Sequence, residues 1–447
     1  MEKVDVVIAG AGIAGCLASR DLSKMGHKVV LLEKEKRAEM GHDWWDSVHL
    51  YIFDEVGLER PKPPELMEPT GLQTVHSPLG TTTAAIEGVP DKYNIDRKLL
   101  AQRQVKTAEE AGARFYDETS VKNAIVENGA VTGVVAQTAS GEQLEFRSKI
   151  CIDATGMSAP LRKTAPENFG FPHEMNKHEM FVTYREIHRD DSPNKDSLLV
   201  FGRDNGVMWI RRDQIGLVDF FAGTINFPIH PDPKKEVLKM ISDQKGFTPD
   251  LVRAGSGALL PVRRGFDSFI APGLVLCGDS ACQCNPVDGS GIVSSLRAAK
   301  MASETIHAAL ENGRTDIEAL WPYNAKYKKI QDVNFAKLHL LQKFMVSEPK
   351  ANLESLFKRG IINIRDFFGT GASKEKDSKL KAVLSLLKLA DRPAFIKHLV
   401  AYKLTDAKVV EHYAQFPEVF SKNEFDSWVR HNDELFGTIG APYGVGM

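Results

Sequence analysis

The stretch from Val4 to Ala18, Val-Asp-Val-Val-Ile-Ala-Gly-Ala-Gly-Ile-Ala-Gly-Cys-Leu-Ala, restricts the folds open to this chain more than any other segment. Val4, Val6, Val7 and Ile8 form a short apolar run of β-formers, and Gly10, Gly12 and Gly15 then give G-x-G-x-x-G ahead of a helix-forming segment ending near Met25-Gly26. A second strand is predicted from His27 to Leu32. It closes on Glu33 and Lys34, near the offset of ~20 residues at which an acid takes a ribose hydroxyl. Each glycine has its own reason: Gly10 for the tight turn, Gly12 for backbone approach to a pyrophosphate, Gly15 for contact between helix and strand. Ala14 sits in the first helical turn beside them. Strand, turn, helix, strand and acid in that order predict a dinucleotide site, where the motif alone predicts only a glycine turn.

At 447 residues the chain exceeds one ordinary core, and about 150 residues per domain predicts two or three domains. Lys+Arg 57 against Asp+Glu 59 leaves a net charge of −2, so there is no basic field to recruit nucleic acid, and none is expected as a partner. The five scattered cysteines do not form a secreted disulfide framework. With the first strand close to the N-terminus and no apolar run approaching ~18 residues, the expectation is a cytoplasmic protein with reduced thiols.

Past the second strand, Met40-Gly-His-Asp-Trp-Trp-Asp46 falls where α/β sheets bind ligands, though Trp44 and Trp45 also suit a core or a domain contact. The prolines between 60 and 90 indicate loop and edge-strand material inserted in the nucleotide-binding unit. Asp96-Arg97 opens a helix, Glu127-Asn-Gly129 turns a hairpin, and Ile150-Cys-Ile-Asp153-Ala-Thr-Gly156 returns the chain to the nucleotide sheet. Residues 175 to 265 alternate in the manner of an antiparallel sheet facing a substrate. Gly273 to Asp279 is a further buried strand ending in an acid, and a helix follows from Ser294. From Trp321 onward the pattern is helical. Lys379 to Tyr402 is amphipathic and basic, suited either to an anionic membrane surface or to covering the protein's own core.

The predicted domains are therefore a discontinuous Rossmann-like nucleotide-binding domain (1–174 and 266–320, with the 60–90 insertion), an antiparallel-sheet substrate domain (175–265) and a helical C-terminal domain (321–447), an α/β fold overall.

Three segments share one form, a buried strand running into a small-residue turn: Ile8 to Gly15, Ile152 to Gly156, and Leu276 to Gly291. With Gly278-Asp279-Ser-Ala-Cys282-Gln-Cys284-Asn-Pro286-Val-Asp-Gly289-Ser-Gly291-Ile292, the chain resembles flavoproteins of the para-hydroxybenzoate hydroxylase fold, and among them the geranylgeranyl reductase family. The resemblance covers about residues 1 to 310 and implies FAD. Gly10, Gly12, Ala14, Gly15, Glu33 and Lys34 would hold its ADP half; Arg97 and the Asp153-to-Arg162 segment with Gly156 would support it; Gly278, Asp279, Pro286, Gly289, Gly291 and Ile292 would hold the ribityl and flavin end. Asp279 suits a ribityl hydroxyl, or alternatively a cap on the following helix. There are two departures from the family pattern. No Tyr-x-Trp-x-Phe-Pro segment occurs, the nearest stretches being Val207-Met-Trp-Ile-Arg211 and Ile225-Asn-Phe-Pro228, and Cys282-Gln-Cys284 replaces the usual small residues.

The resemblance implies a flavin-dependent reductase of carbon–carbon double bonds in an isoprenoid or other apolar small molecule, supplied with electrons by an external nicotinamide or ferredoxin-type donor and resting at most peripherally on a membrane. The same architecture serves flavin-dependent aromatic monooxygenases and the non-catalytic prenyl carriers typified by Rab GDP-dissociation inhibitors. Cys282 and Cys284 are candidate catalytic thiols, or else two small buried side chains; Asp43, His49 and Tyr184 are further candidate acids. No metal ligands are assigned.

Overall fold

Val6, Val7 and Ile8 are buried because the strand Glu2–Ala9 runs through the middle of a sheet. It pairs in parallel with Gln143–Asp153 on one side, Ile8 opposite Ile152, and with Val29–Leu32 on the other, Val7 opposite Val30. Leu274–Leu276 and Arg114–Tyr116 extend the parallel array outward, so five strands end at one edge on Leu276, Asp153, Ala9, Leu32 and Tyr116. The hairpin Thr119–Glu127/Ala130–Thr138 also joins this eight-stranded sheet. It turns through Asn128 and Gly129, both left-handed (φ 50° and 77°), which matches the twist of the flanking strands. The helix Ile13–Lys24 packs against Arg97–Glu110 and Ile292–Glu311. This is a computed structural model, and it describes residues 2–71, 73–86, 90–193, 196–202, 205–212, 215–227, 230–361 and 387–439.

A seven-stranded sheet runs Leu251–Pro261, Met180–Arg189, Leu217–Ile225, Gly206–Arg212, Leu198–Phe201, Gln73–His76, Thr83–Ile86. It is antiparallel except where Leu198–Phe201 meets Gln73–His76. The proline-rich 60–90 stretch is thus divided. Its hairpin forms the edge of this sheet, while Leu66–Pro69 and Trp45–His49 each pair with the central Lys92–Asp96 in a small three-stranded sheet. One face of the large sheet is covered by the helix Pro233–Ser242 through Val237 and Ile241. Its other face carries Phe181, Val207, Phe221 and Ile225, which pack with Val346 from the helix Val333–Ser347.

The helical tail is anchored by a buried ion pair. Lys328 Nζ lies 2.6 Å from Asp332 Oδ2, while Asp332 Oδ1 accepts the Gly265 N–H at 2.8 Å, just where the chain re-enters the nucleotide sheet. Of the amphipathic stretch, residues 379–386 lie outside the described residues. In the rest, Leu389, Phe395 and Tyr402 are buried, with Phe395 and Tyr402 stacked on Phe344, and Leu387 is exposed, as is Leu404 just beyond the stretch. The apolar positions mainly cover the protein's own core. No helix of the described residues is long and apolar enough to cross a membrane.

Candidate active site

The carboxyl ends of the parallel strands open on a cleft of about 630 Å3. Gly10 turns the first strand into it with φ +93°, and a Cβ there would stand 2.5 Å from the Ala154 carbonyl oxygen. Gly15 lets the helix press on that turn, since a Cβ at this position would lie 1.9 Å from the Gly10 carbonyl oxygen. Gly12 is different. Its φ of −75° suits any residue, and a Cβ would meet nothing nearer than the Ala154 oxygen at 4.0 Å, so its missing side chain leaves room within the cleft. Gly12 and Gly291 are the N-caps of Ile13–Lys24 and Ile292–Glu311, neither with a side-chain cap, and both line the cleft. Two positive helix ends therefore meet there, an arrangement suited to anionic or electron-rich groups.

Glu33 accepts the Ala11 N–H at 2.8 Å and the Glu35 N–H at 3.0 Å, which holds its carboxylate beside the glycine turn, with Lys34 next to it on the wall. Ala14, Gly156, Gly278, Gly289 and Ile292 also line the cleft. Asp279 lies half-buried in it, and no side-chain hydrogen bond reaches its carboxylate among the described residues. Burial pushes its carboxyl up to about 6, Arg97 opposing. The alternative role of Asp279 as a helix cap is corrected, because Gly291 occupies that position. An unpartnered acceptor, a side-chain-free cradle at Gly12 and two helix N-termini fit the hydroxyls, pyrophosphate and ring edge of FAD.

Four expected site residues stand back from the cleft wall. Asp153 is fully buried and is corrected from a cofactor contact to a loop organiser: Oδ1 accepts from Thr155 N–H and hydroxyl, and Oδ2 from the Leu161 and Arg162 N–H groups. Gly15 acts beneath the turn. Pro286 is buried in the 285–290 turn, where its carbonyl accepts from Gln342 at 3.3 Å. Cys282 does not line the cleft with its side chain. Its left-handed backbone (φ 57°) reverses the chain and directs Sγ to Met175 Sδ at 3.7 Å. Cys284 does line the cleft, but its thiol donates to the Gly289 carbonyl at 3.0 Å, and burial holds it protonated, well above the ordinary thiol value. Among the other candidate acids, Tyr184 bonds Glu186 and packs on the opposite face of the sheet, and Asp43 pairs with Arg253.

Sequence reading missed a buried relay beside the cleft. Asp96 caps the helix that carries Arg97, through the Lys98 and Leu99 N–H groups, and Arg97 donates to Asp46 Oδ2 at 2.6 Å. Asp46 Oδ1 accepts from Arg185 at 3.1 Å, Arg185 forks onto Asp219 at 2.8 and 2.6 Å, and Trp209 Nε1 donates to Asp219 at 2.8 Å. Against burial, Arg97 and Arg185 hold the Asp46 carboxyl below its usual range. Trp44, Trp45 and Trp209 surround the Arg185 guanidinium at 5.5, 5.9 and 5.5 Å. Trp45 is thus a core residue, while Trp44 stacks on His42, which lines the cleft. Away from the cleft, His27 and His307 bond each other at 2.9 Å close to Glu311.

Residues 3–332 match the family model described as FAD binding domain. The chain belongs to that family. It is an FAD-dependent oxidoreductase, with the α/β architecture expected of one. It is 26% identical to the digeranylgeranylglycerophospholipid reductase of Sulfolobus acidocaldarius, over 97% of each chain. It is 24% identical to that of Methanothrix thermoacetophila, over 79% of this chain and 90% of the other. Among solved structures, a geranylgeranyl bacteriochlorophyll reductase-like protein from Thermoplasma acidophilum superposes with a TM-score of 0.73 at 17% identity, covering 90% of this chain and all (100%) of that one. A flavin-dependent brominase superposes at 0.62 with 16% identity, covering 91% and 100%, which extends the likeness of fold to flavoproteins of other chemistry.

Proposed function

We propose that this oxidoreductase reduces carbon–carbon double bonds of an isoprenoid or similarly apolar substrate. Reduced FAD would supply hydride to one alkene carbon, and a protein acid the proton to the other. The observation that carries the reading is an apolar cluster reached from the cleft at the flavin-end turn: Leu260 lines the cleft, and it packs, like Val287 and Trp209, against the buried cluster that holds Phe181 and Phe221 of the large sheet. Trp209 is stacked on Phe221 at 3.8 Å, which gives the cluster a rigid aromatic face suited to aligning a polyene. Trp209 comes from one of the two stretches nearest to the missing aromatic motif. The name of the Sulfolobus acidocaldarius relative, which matches 97% of this chain, points the same way.

In this reading the glycine turns and Glu33 hold the ADP half of FAD, Asp279 takes a ribityl hydroxyl, and the Gly289-Ser-Gly291 backbone approaches the flavin ring. One dinucleotide fingerprint implies that electrons arrive from an external nicotinamide or ferredoxin-type donor. Exposed Leu387 and Leu404, with lysines nearby, would let the C-terminal helices rest on a bilayer holding such a substrate. Under anaerobic conditions, pre-reduced holoenzyme mixed with a polyprenyl substrate is expected to give a product heavier by one H2, with flavin reoxidised in step. Flavin that stays reduced across a panel of alkenes, but yields an oxygenated product with O2 and an aromatic substrate, would overturn the proposal in favour of a monooxygenase.

A further inference from the structure

The helices Ile13–Lys24 and Ile292–Glu311 both begin at the cleft, on Gly12 and Gly291, and both end away from it in the same kind of turn. Gly26 and Gly313 are left-handed (φ 89° and 65°). The Gly26 and His27 N–H groups return to the Ser23 and Leu22 carbonyls, and the Gly313 and Arg314 N–H groups to those of Leu310 and Ala309, a Schellman closure on each helix. The residue after such a glycine commonly packs an apolar side chain back on its helix. Here it is His27, half-buried, whose Nε2 meets His307 Nδ1 of the neighbouring helix at 2.9 Å. At ~1.5 Å per residue, His307 stands roughly 20 Å along its helix from the cleft.

Glu311 lies one turn beyond His307 on the same helix face, exposed at the rim. Among the described residues, these three form the one set of His, Cys, Asp or Glu side chains whose ligand atoms all lie within 4.8 Å of one another, although His27 and His307 are 280 residues apart in sequence. The surroundings favour a cation. The negative ends of two helices converge there, and the Asp5 and Glu311 carboxylates both face His27. Lys149, which opposes them, is tied to Asp5 Oδ1 at 2.8 Å, and Asp5 Oδ2 accepts the Lys28 N–H at 2.9 Å. Burial and the His307 ring hold the His27 imidazolium below its ordinary value, so its ring is uncharged at neutral pH and has a lone pair to donate.

We propose that His27 Nε2, His307 Nδ1 and a Glu311 carboxylate oxygen form a binding site for a divalent first-row cation of the zinc type, with water completing the coordination. Two imidazoles and a carboxylate are a donor set that zinc accepts, at ~2.0–2.2 Å per ligand. Tetrahedral ligands at that range stand about 3.3 Å apart, so the two ring nitrogens, now at 2.9 Å, need separate only slightly while Glu311 swings in from the rim. The ring that carries the bridging proton shifts it to its outward nitrogen, and the ion clasps the ends of the two helices whose beginnings line the cleft. The site is independent of the alkene-reduction reading. Holoenzyme freed of metal by chelator is titrated calorimetrically with Zn²⁺. The expected result is one ion per chain and a melting temperature that rises with Zn²⁺ and falls back on adding chelator, at constant flavin content. His27→Gln and His307→Gln should each weaken binding by at least about tenfold, since losing even an outer-shell partner costs ~10–100-fold, and Glu311→Gln should weaken it less. X-ray absorption at the zinc edge of the wild type, which does not depend on any variant folding, should show imidazole nitrogens and no sulfur. Binding no tighter in wild type than in the variant carrying both His27→Gln and His307→Gln overturns the site, as does a sulfur shell from any of the five buried cysteines or Mg²⁺ binding as tight as that of Zn²⁺.

Discussion

Replacing Gly12 by Val separates loss of cofactor from loss of fold. The backbone at Gly12 is already extended (φ −75°, ψ −170°), and the nearest atom to a new Cβ is the Ala154 oxygen at 4.0 Å, so the apoprotein pays little beyond a poorer helix N-cap, about 1 kcal/mol. The cleft bears the cost. A branched side chain there fills the approach to the first-turn N–H groups of Ile13–Lys24, and losing two charge-assisted hydrogen bonds at ~1.5–3 kcal/mol each weakens FAD binding by roughly 10²- to 10⁴-fold. Gly15→Ala is the contrast. Its Cβ would sit 1.9 Å from a backbone oxygen, so helix and strand must part and the fold itself should fail. The assay is flavin absorbance per protein after gel filtration, alongside a circular-dichroism melt. Gly12→Val that melts like wild type and keeps full flavin would refute the assignment of the glycine turn to the pyrophosphate.

Asp279, whose carboxyl burial raises to about 6, binds more protons folded than unfolded, so apoprotein stability should fall as pH rises from about 4 to 6 and then level. Since FAD hydroxyls would favour the charged form, FAD affinity should drop on acidification below about 6, by at most about a decade per pH unit, and Asp279→Asn should flatten that profile in equilibrium titrations. Cys282→Ala and Cys284→Ala should both keep flavin and most of the turnover, because one thiol faces Met175 and the other is bonded to Gly289; a large loss at Cys284 alone would identify it as the proton donor. Asp219→Leu leaves the buried Arg185 with only Asp46 as a carboxylate partner and should cost up to about 3–5 kcal/mol in denaturant unfolding, whereas adding Arg185→Met should recover part of the loss; equal losses would mean that the pair is not coupled.

What the sequence disclosed about the site follows from the range of the forces involved. Gly10, Gly12 and Gly15 were readable because each answers to a neighbour within a few residues or to the next parallel strand, and strand-turn-helix order fixes those neighbours in advance. Asp153 was readable as important and not as buried: the same motif positions suit an acid that touches a cofactor and one that folds the loop beneath it. Cys282 and Cys284 flank Gln283 in a turn expected to face the flavin, and the left-handed backbone at Cys282 directs one of the two thiols to Met175 instead. The Arg97–Asp46–Arg185–Asp219 relay draws on four elements from residue 45 to residue 225, and the parallel pairing of Gln73–His76 with Leu198–Phe201 also spans distant segments, so no local pattern announces either. The cofactor half is thus encoded in short turns that any sequence with the same chemistry must repeat, whereas the substrate half is encoded in pairings between sheets. The pairings between sheets can then change without disturbing the glycine turns, which is why the cofactor could be inferred from sequence when the substrate could not.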